Sequence, residues 1–364
     1  MFLSFTRFLG RAHLCRMGEG WKAVFQRPCR NGRANPQHHG RTAMHQDWIH
    51  LEHVGAWTDL TNRLAAVDDT DEFYEAEDLL EELNEPGVDP ARDTLGLWDN
   101  DTMVGFGQLR LGEQLRDGRG RVSIGGGISP EYRRRGHGTL VMDVLEARAR
   151  EKMAERHPGV DYTIDVWGNA PGHSAGEMAM ARGYEPARFF QDMTLAPGDF
   201  LPHRHPASVP EDTVLVPYSP GIAEAVRVLD NEAFADHWGS APKSADEWAA
   251  MTGARSFRSN YSRVLLEDHG ENRPARALSH VLGAEWVAKE LYISRVGTAR
   301  AARGLGYAAW VLSTVVAAAF EDGFTKVDLS VDAQSPPGAR GLYERLGFQL
   351  VRSGAVYRKT VTAR

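Results

Sequence analysis

Two short segments carry residues whose types and spacing suit the binding of an anion at a backbone turn. Residues 128–140 read Ile-Ser-Pro-Glu-Tyr-Arg-Arg-Arg-Gly-His-Gly-Thr-Leu, and residues 296–308 read Val-Gly-Thr-Ala-Arg-Ala-Ala-Arg-Gly-Leu-Gly-Tyr-Ala. Setting Arg135 on Arg303 also sets Gly136 on Gly304 and Gly138 on Gly306, an offset of 168 residues. Glycines there let the chain turn tightly and approach a ligand, and the first N–H groups of a following helix then suit a phosphate or pyrophosphate. A second echo follows each copy: Arg182-Gly183-Tyr184 and Leu346-Gly347-Phe348, offset by 164 residues. A repeat this long is a duplicated domain rather than a solenoid unit.

The elements that must position these turns recur in the same order in both halves. Leu140, Val141, Val144, Leu145 and Ala149 fall on one face of a helix over 136–155, and Leu312, Val315, Val316 and Ala319 on one face of a helix over 304–320. A strand is expected at Ile49–Leu51 in the first half and at Val214–Tyr218 in the second. Each half reads β, α, α, β, β, β, α, β, α, β, which is an α/β (mixed α+β) fold with a mixed sheet flanked by helices. The expected divisions are a first domain over 44–197, a Pro-rich linker over 198–212 and a second domain over 213–364.

Composition bounds the class. The chain has 364 residues, 42% of them hydrophobic and 25% charged, with no apolar run long enough to span a bilayer. Residues 1–43 carry a net charge of +7 and both cysteines, Cys15 and Cys29; the remainder carries −14. That leader reads as a disordered extension or an upstream start ahead of Met44, with a targeting peptide as the alternative. The cysteine-free body offers no disulfide framework, thiolate nucleophile or cysteine zinc site. His38 with His39, and His203 with His205, are weak as metal ligands, and no metal is expected. An acidic body argues against nucleic acid. The expected setting is cytoplasmic, away from membranes, as a monomer or homodimer.

The strand–turn–helix, followed by Leu-Tyr-x-x-x-Gly-Phe, resembles the GNAT acetyltransferase superfamily. Arg133-Arg134-Arg135-Gly136-His137-Gly138 matches that family's Arg/Gln-x-x-Gly-x-Gly/Ala loop in full. At the chosen offset Ala301-Ala302-Arg303-Gly304-Leu305-Gly306 has alanine in the first place. Tandem copies in a chain of this length are similar to mycothiol synthases and to other actinobacterial double-GNAT proteins. The resemblance implies that acetyl-CoA is the co-substrate, its pyrophosphate held at Ile128, Arg133, Arg134, Arg135, Gly136, His137, Gly138 and Thr139 in one half. In the other half the corresponding set is Val296, Gly297, Arg303, Gly304, Leu305, Gly306 and Tyr307. It also implies a tyrosine acid at Tyr343, with a packing tyrosine whose hydroxyl lies at the surface as the alternative.

The halves then differ. Tyr343 falls opposite Ala179, and Ser123–Ile128 has no titratable side chain. Glu290, Tyr292 and Ser294 share one face by strand alternation. Glu290 is the candidate base, with Glu285 in reserve, although a strand-start glutamate is also ordinarily solvated. Trp238 and Trp248 are candidates for an acceptor pocket or for core. The expected activity is acetyl transfer to a small primary amine in the C-terminal half, because an acidic protein attracts cations. The alternatives are transfer to a cysteinyl aminosugar and a non-catalytic acyl-CoA sensor, the latter favoured by Ala301.

Overall fold

The computed structural model describes residues 44–364 except 86, 170–173, 204, 207–208, 268–275, 335–338 and 364. The leader, with Cys15, Cys29, His38 and His39, lies outside the described residues. The first half runs β1 (Met44–Asp47), α1 (Val54–Val67), α2 (Ala76–Leu83), a single turn α3 (Pro90–Asp93), β2 (Thr94–Asp99), β3 (Thr102–Leu111), β4 (Gly120–Ile128), α4 (His137–Arg156), β5 (Tyr162–Asn169), α5 (Ser174–Ala181) and β6 (Glu185–Leu195). The second runs β7 (Thr213–Pro217), α6 (Ala223–Ala233), α7 (Ala245–Gly253), β8 (Phe257–Glu267), β9 (Arg276–Ala284), β10 (Glu290–Thr298), α8 (Tyr307–Glu321), β11 (Lys326–Asp332), α9 (Ala339–Arg345) and β12 (Gln349–Val361). The expected order is present in both halves. The first strand lies earlier than expected, at Met44–Asp47, and Leu51 opens a short 3-10 turn instead.

Sequence halves and sheet neighbours do not coincide. One continuous sheet has the order β1-β2-β3-β4-β5-β12-β6-β11-β10-β9-β8-β7. The last strand of the second half therefore lies against β5 of the first, and β6, the last strand of the first half, lies against β11 of the second. β6 and β12 pair antiparallel at the centre, with Phe190 opposite Gly354. Every central strand thus has hydrogen-bonding neighbours on both edges, which leaves no exposed sheet edge where the halves join.

Two helices cover one face. Val141, Leu145 and Ala149 of α4 are fully buried on β3–β5, and Val311, Leu312, Val315, Val316 and Ala319 of α8 on β8–β11. Each such large side chain contributes up to about 1.5–3 kcal/mol. On the opposite face Trp57, Leu60 and Leu64 of α1 recur at helical spacing. They form one cluster with Phe106 of the first half and Trp286 and Tyr292 of the second. α2 is tied across the halves by Asp78, which accepts from Arg255 at 2.5 and 3.0 Å.

Between α1–α2 and α6–α7 the middle of that face stays polar. Asp165 on β5, 1% exposed, accepts from Arg121 Nε of β4 at 2.8 Å and from Arg358 of β12 at 2.6 and 2.8 Å. A strand exchanged from the other half thus closes a charge network in the first. Removing the carboxylate leaves two guanidinium groups without their partner, which costs about 3 kcal/mol or more. Asp165→Ala is expected to lower the urea unfolding free energy by about that amount; a midpoint unchanged from wild type would show that the pair contributes nothing net.

Candidate active site

Both halves build the same turn from the same local signals. β4 ends at Ile128, a 3-10 turn covers Pro130–Tyr132, and α4 starts after Gly136, which has φ +85°. β10 ends at Thr298, a 3-10 turn covers Arg300–Ala302, and α8 starts after Gly306, which has φ +84°. A side chain at either glycine would be strained in this left-handed conformation. The first N–H groups of each helix lack intrahelical acceptors, so each turn is a ready anion cradle.

This geometry corrects the offset of 168. Strand ends, 3-10 turns and helix starts superpose at an offset of 170, so Gly306 matches Gly136 and Arg303 matches Arg133. Arg303-Gly304-Leu305-Gly306-Tyr307-Ala308 is then a full Arg-x-x-Gly-x-Ala loop, and Ala301 is not a lost arginine. The two arginines also behave alike. Arg133 donates to Asp68 at 2.6 and 2.8 Å and to the Ile128 carbonyl at 2.8 Å, pinning the turn to the end of α1. Arg303 reaches the Ala233 carbonyl at the end of α6 at 3.2 Å, and Arg300 adds a 2.5 Å pair with Asp236. The second echo keeps its offset of 164, because Tyr184 N–H bonds the Ala179 carbonyl as Phe348 N–H bonds that of Tyr343, each at 3.1 Å.

The remaining loop residues divide by exposure. Arg134, Arg135, Gly136 and Thr139 are exposed, while Ile128, His137 and Gly138 are half-buried. Arg303, Gly304, Leu305 and Gly306 are exposed, Val296 is half-buried and Gly297 is buried. Tyr307 is buried in the core, so only its backbone faces the cradle question. The linker differs between the two turns. His203 Nε2 and Pro206 lie 3.7 and 3.9 Å from where a Cβ on Gly306 would stand, and His205 packs on Trp310 at 4.2 Å.

Each turn follows a strand that parts from its parallel neighbour. β4 pairs β5 only through Ile124, and β10 pairs β11 only through Ile293. At that point β10 has a bulge against β9, where Ile293 lies opposite Gly283 and Arg295 opposite Leu282. Ser294 is the extra residue, and a bulge of this kind re-aims side chains and breaks ladder pairing. It also ends the simple alternation that put Glu290, Tyr292 and Ser294 on one face. β4 has no register shift against β3. Its glycine run has a steric cause instead: Gly126 has φ +154°, and a Cβ there would sit 2.4 Å from the Phe106 carbonyl oxygen.

The predicted acid and base do not come together. Tyr343, half-buried on α9, packs on the C-terminal core edge-on to Phe348, and burial pushes its hydroxyl up to about 12. Glu290 opens β10, about 10 Å along the strand before the point where β10 parts from β11. Its carboxylate lies 3.1 Å from Lys326 Nζ, which also pairs with Asp71 and Asp328. Lys326 fills the centre of that acidic cluster. Glu285 is bound by Arg258 at 2.6 Å and by Lys289 N–H at 2.8 Å; burial would raise its pKa, but these bonds hold it below the usual range. Neither glutamate is placed to collect a proton where the strands part.

A histidine that sequence reasoning passed over is so placed. One cavity is lined by Ser294, Arg295, Ser330 and Asp332 where β10 and β11 part, and by Phe234, His237 and Trp238 above them. His237 Nε2 lies 3.8 Å from Asp332 Oδ2. Burial holds the imidazole below its ordinary value against the pull of Asp332. Arg295 is fixed by Asp230 at 2.6 Å; burial would raise the Asp230 pKa, but Arg295 and the adjacent His280 hold it low. Trp238 belongs to the cavity, whereas Trp248 is core, 2% exposed and bonded to the Tyr218 hydroxyl at 3.0 Å. No local pattern marks His237, because its partner Asp332 is far away in sequence. No helix among the described residues is long and apolar enough to cross a membrane.

Mycothiol acetyltransferase of Clavibacter sepedonicus is 25% identical over 232 residues, covering 64% of this chain and 71% of that relative. A GCN5-related N-acetyltransferase from Sphaerobacter thermophilus superposes with a TM-score of 0.68 at 23% identity, over 87% of this chain and 95% of that one. A tandem GNAT protein from the clavulanic acid biosynthesis pathway does so with a TM-score of 0.60 at 18% identity, over 87% and 98%. At such identities these structures speak for the fold alone. The sequence matches the acetyltransferase (GNAT) family twice, over residues 54–165 and 223–348, one region on each turn. The chain is an acyltransferase and belongs to the acetyltransferase (GNAT) family.

Proposed function

We propose that the protein moves the acetyl group of acetyl-CoA to the primary amine of a small molecule, with the chemistry in the C-terminal half. The carrying observation is the cavity that holds His237, Asp332 and Ser294 together at the parting of β10 and β11. In this reading the pyrophosphate meets the turn from Arg303 to Tyr307, and the thioester lies along the bulged end of β10. The neutral amine attacks the acetyl carbon, and a backbone N–H near Val296 holds the oxyanion. His237 replaces Glu290 as the base that accepts the amine's proton. The C–S bond breaks, the thiolate takes the proton of Tyr343, and the phenol regains one from solvent.

The N-terminal half, in this proposal, binds acetyl-CoA without turnover or shapes the acceptor site. Arg121 and Ser123 of β4 line the same cavity, which supports the second role. With the corrected register Arg303 stands in the first place of the loop, so Ala301 no longer argues for a non-catalytic sensor. The relatives named mycothiol acetyltransferase support a cysteinyl aminosugar as a second acceptor reading; gene disruption with that thiol retained would exclude it.

Three measurements test the proposal. Calorimetric titration of acetyl-CoA should show a site that Arg303→Ala abolishes; a single site lost only with Arg133→Ala, the matching change, would move the chemistry to the first half. His237→Gln should lower kcat by about 100-fold or more. The neutral imidazole is the active form and its pKa is depressed, so wild-type kcat should be flat at pH 7 and fall only below about pH 6.5. The variant should lose that limb; an unchanged profile would remove His237 from the mechanism. Tyr343→Phe should cut kcat about tenfold or more, whereas Glu290→Gln should stay within about threefold of wild type, a change too small for a proton carrier. The reverse pattern would restore the glutamate.

A further inference from the structure

The cavity at His237 lies beside a second hollow, and Arg121, Ser123 and Gly239 line both. That hollow adds Arg116 and Lys243. The cations here are poorly matched. Arg121 and Arg358 share one carboxylate, that of Asp165. Among the described residues the guanidinium of Arg116 bonds only carbonyls, those of Ser240 and His237. Lys243 makes no ion pair among the described residues. By contrast Arg295 has Asp230, Arg188 has Asp332 and Arg110 has Glu82 and Glu85. Glu85, Glu113 and Glu247 also line the hollow, but Glu85 is paired with Arg110, and the Glu247 carboxylate accepts from Ser244 N–H at 2.6 Å in the cap of α7. Trp238 lies against Arg121 and Arg358, 4.6 and 4.5 Å from its ring, and holds both side chains in place.

Resting on the acetyltransferase reading, we infer that the acceptor is an amine that also carries an anionic group, a carboxylate or a phosphate. Its amine lies at His237 and its anion at Arg121, Arg116 and Lys243. The electrostatics agree with this placement. Burial, with repulsion from Arg358 and Arg116, lowers the Arg121 pKa in spite of Asp165. Burial, with Arg295 nearby, lowers that of Lys243 to about 8. Both groups gain when an anion arrives. The acidic protein surface therefore does not predict the charge of the acceptor, because the local walls are cationic.

The test is CoA release by the full chain from acetyl-CoA with matched amines: O-phosphoethanolamine against ethanolamine, and β-alanine against β-alaninamide. The anionic member of at least one pair should have a kcat/KM at least about tenfold higher, the size of one charge-assisted hydrogen bond. The pair that shows it identifies phosphate or carboxylate. Arg121→Gln should bring that ratio to within about threefold of unity, and Lys243→Gln, which touches no buried pair, should lower it in the same direction. Ratios near unity in wild type, or ratios that both variants leave intact, would overturn the inference while leaving the acetyltransferase reading in place. No CoA release with any of the amines, in protein that binds acetyl-CoA, would overturn that reading and the inference with it.

Discussion

The rest of the structure depends on the central antiparallel pair of β6 and β12. Each is the last strand of its own half, and each lies beside the penultimate strand of the other. Because the exchange is reciprocal, neither half completes its sheet by itself. The backbone hydrogen bonds that would close each half locally are made across the molecule instead. Phe190 and Val356 on these strands meet Trp167, and the partly buried Trp238 packs against them, so the seam is apolar where the strands cross and charged on either side.

That exchange sets the chemistry of the open face. Asp165 of the first half is matched by Arg358 of the second, and Asp332 of the second by Arg188 of the first. Of the cavity's charged walls, Asp332 takes its partner Arg188 from the opposite half, and Arg121 shares Asp165 with Arg358 of the opposite half. His237 enters it from the segment after α6, and Arg121 from β4. A cleft of this kind can hold charges in fixed places with little water, which is what acyl transfer to an amine requires. The two cradles are not equivalent. The turn before α8 has the linker residues His203 and Pro206 beside Gly306, whereas among the described residues nothing lies within 4 Å of the Cβ position of Gly136.

Much of the fold was legible because it is written in local signals. Apolar spacing marked α4 and α8, and glycines marked the turns before them. Register was less secure. Two arginine- and glycine-rich turns can be laid over each other in more than one way, and only the strand ends and positive φ values at Gly136 and Gly306 fix the offset. The same limit explains Glu290. Alternation along a strand gives a face but not an end, and the parting of β10 from β11 lies beyond the pairing of Ile293 with Leu329. His237 was invisible for a different reason: its environment is made by residues from β6, β11 and β10, which no spacing rule brings together.

By itself the sequence determined the duplication, the order of elements in each half and the two glycine turns ahead of α4 and α8. Each rests on short-range periodicity or on residues whose backbone preferences act within a few positions. Tertiary structure alone decided which strands are neighbours, which charges are neutralised and which side chains share the cavity. Those outcomes depend on contacts between segments more than a hundred residues apart, and a charged side chain has no fixed meaning until its partner is known.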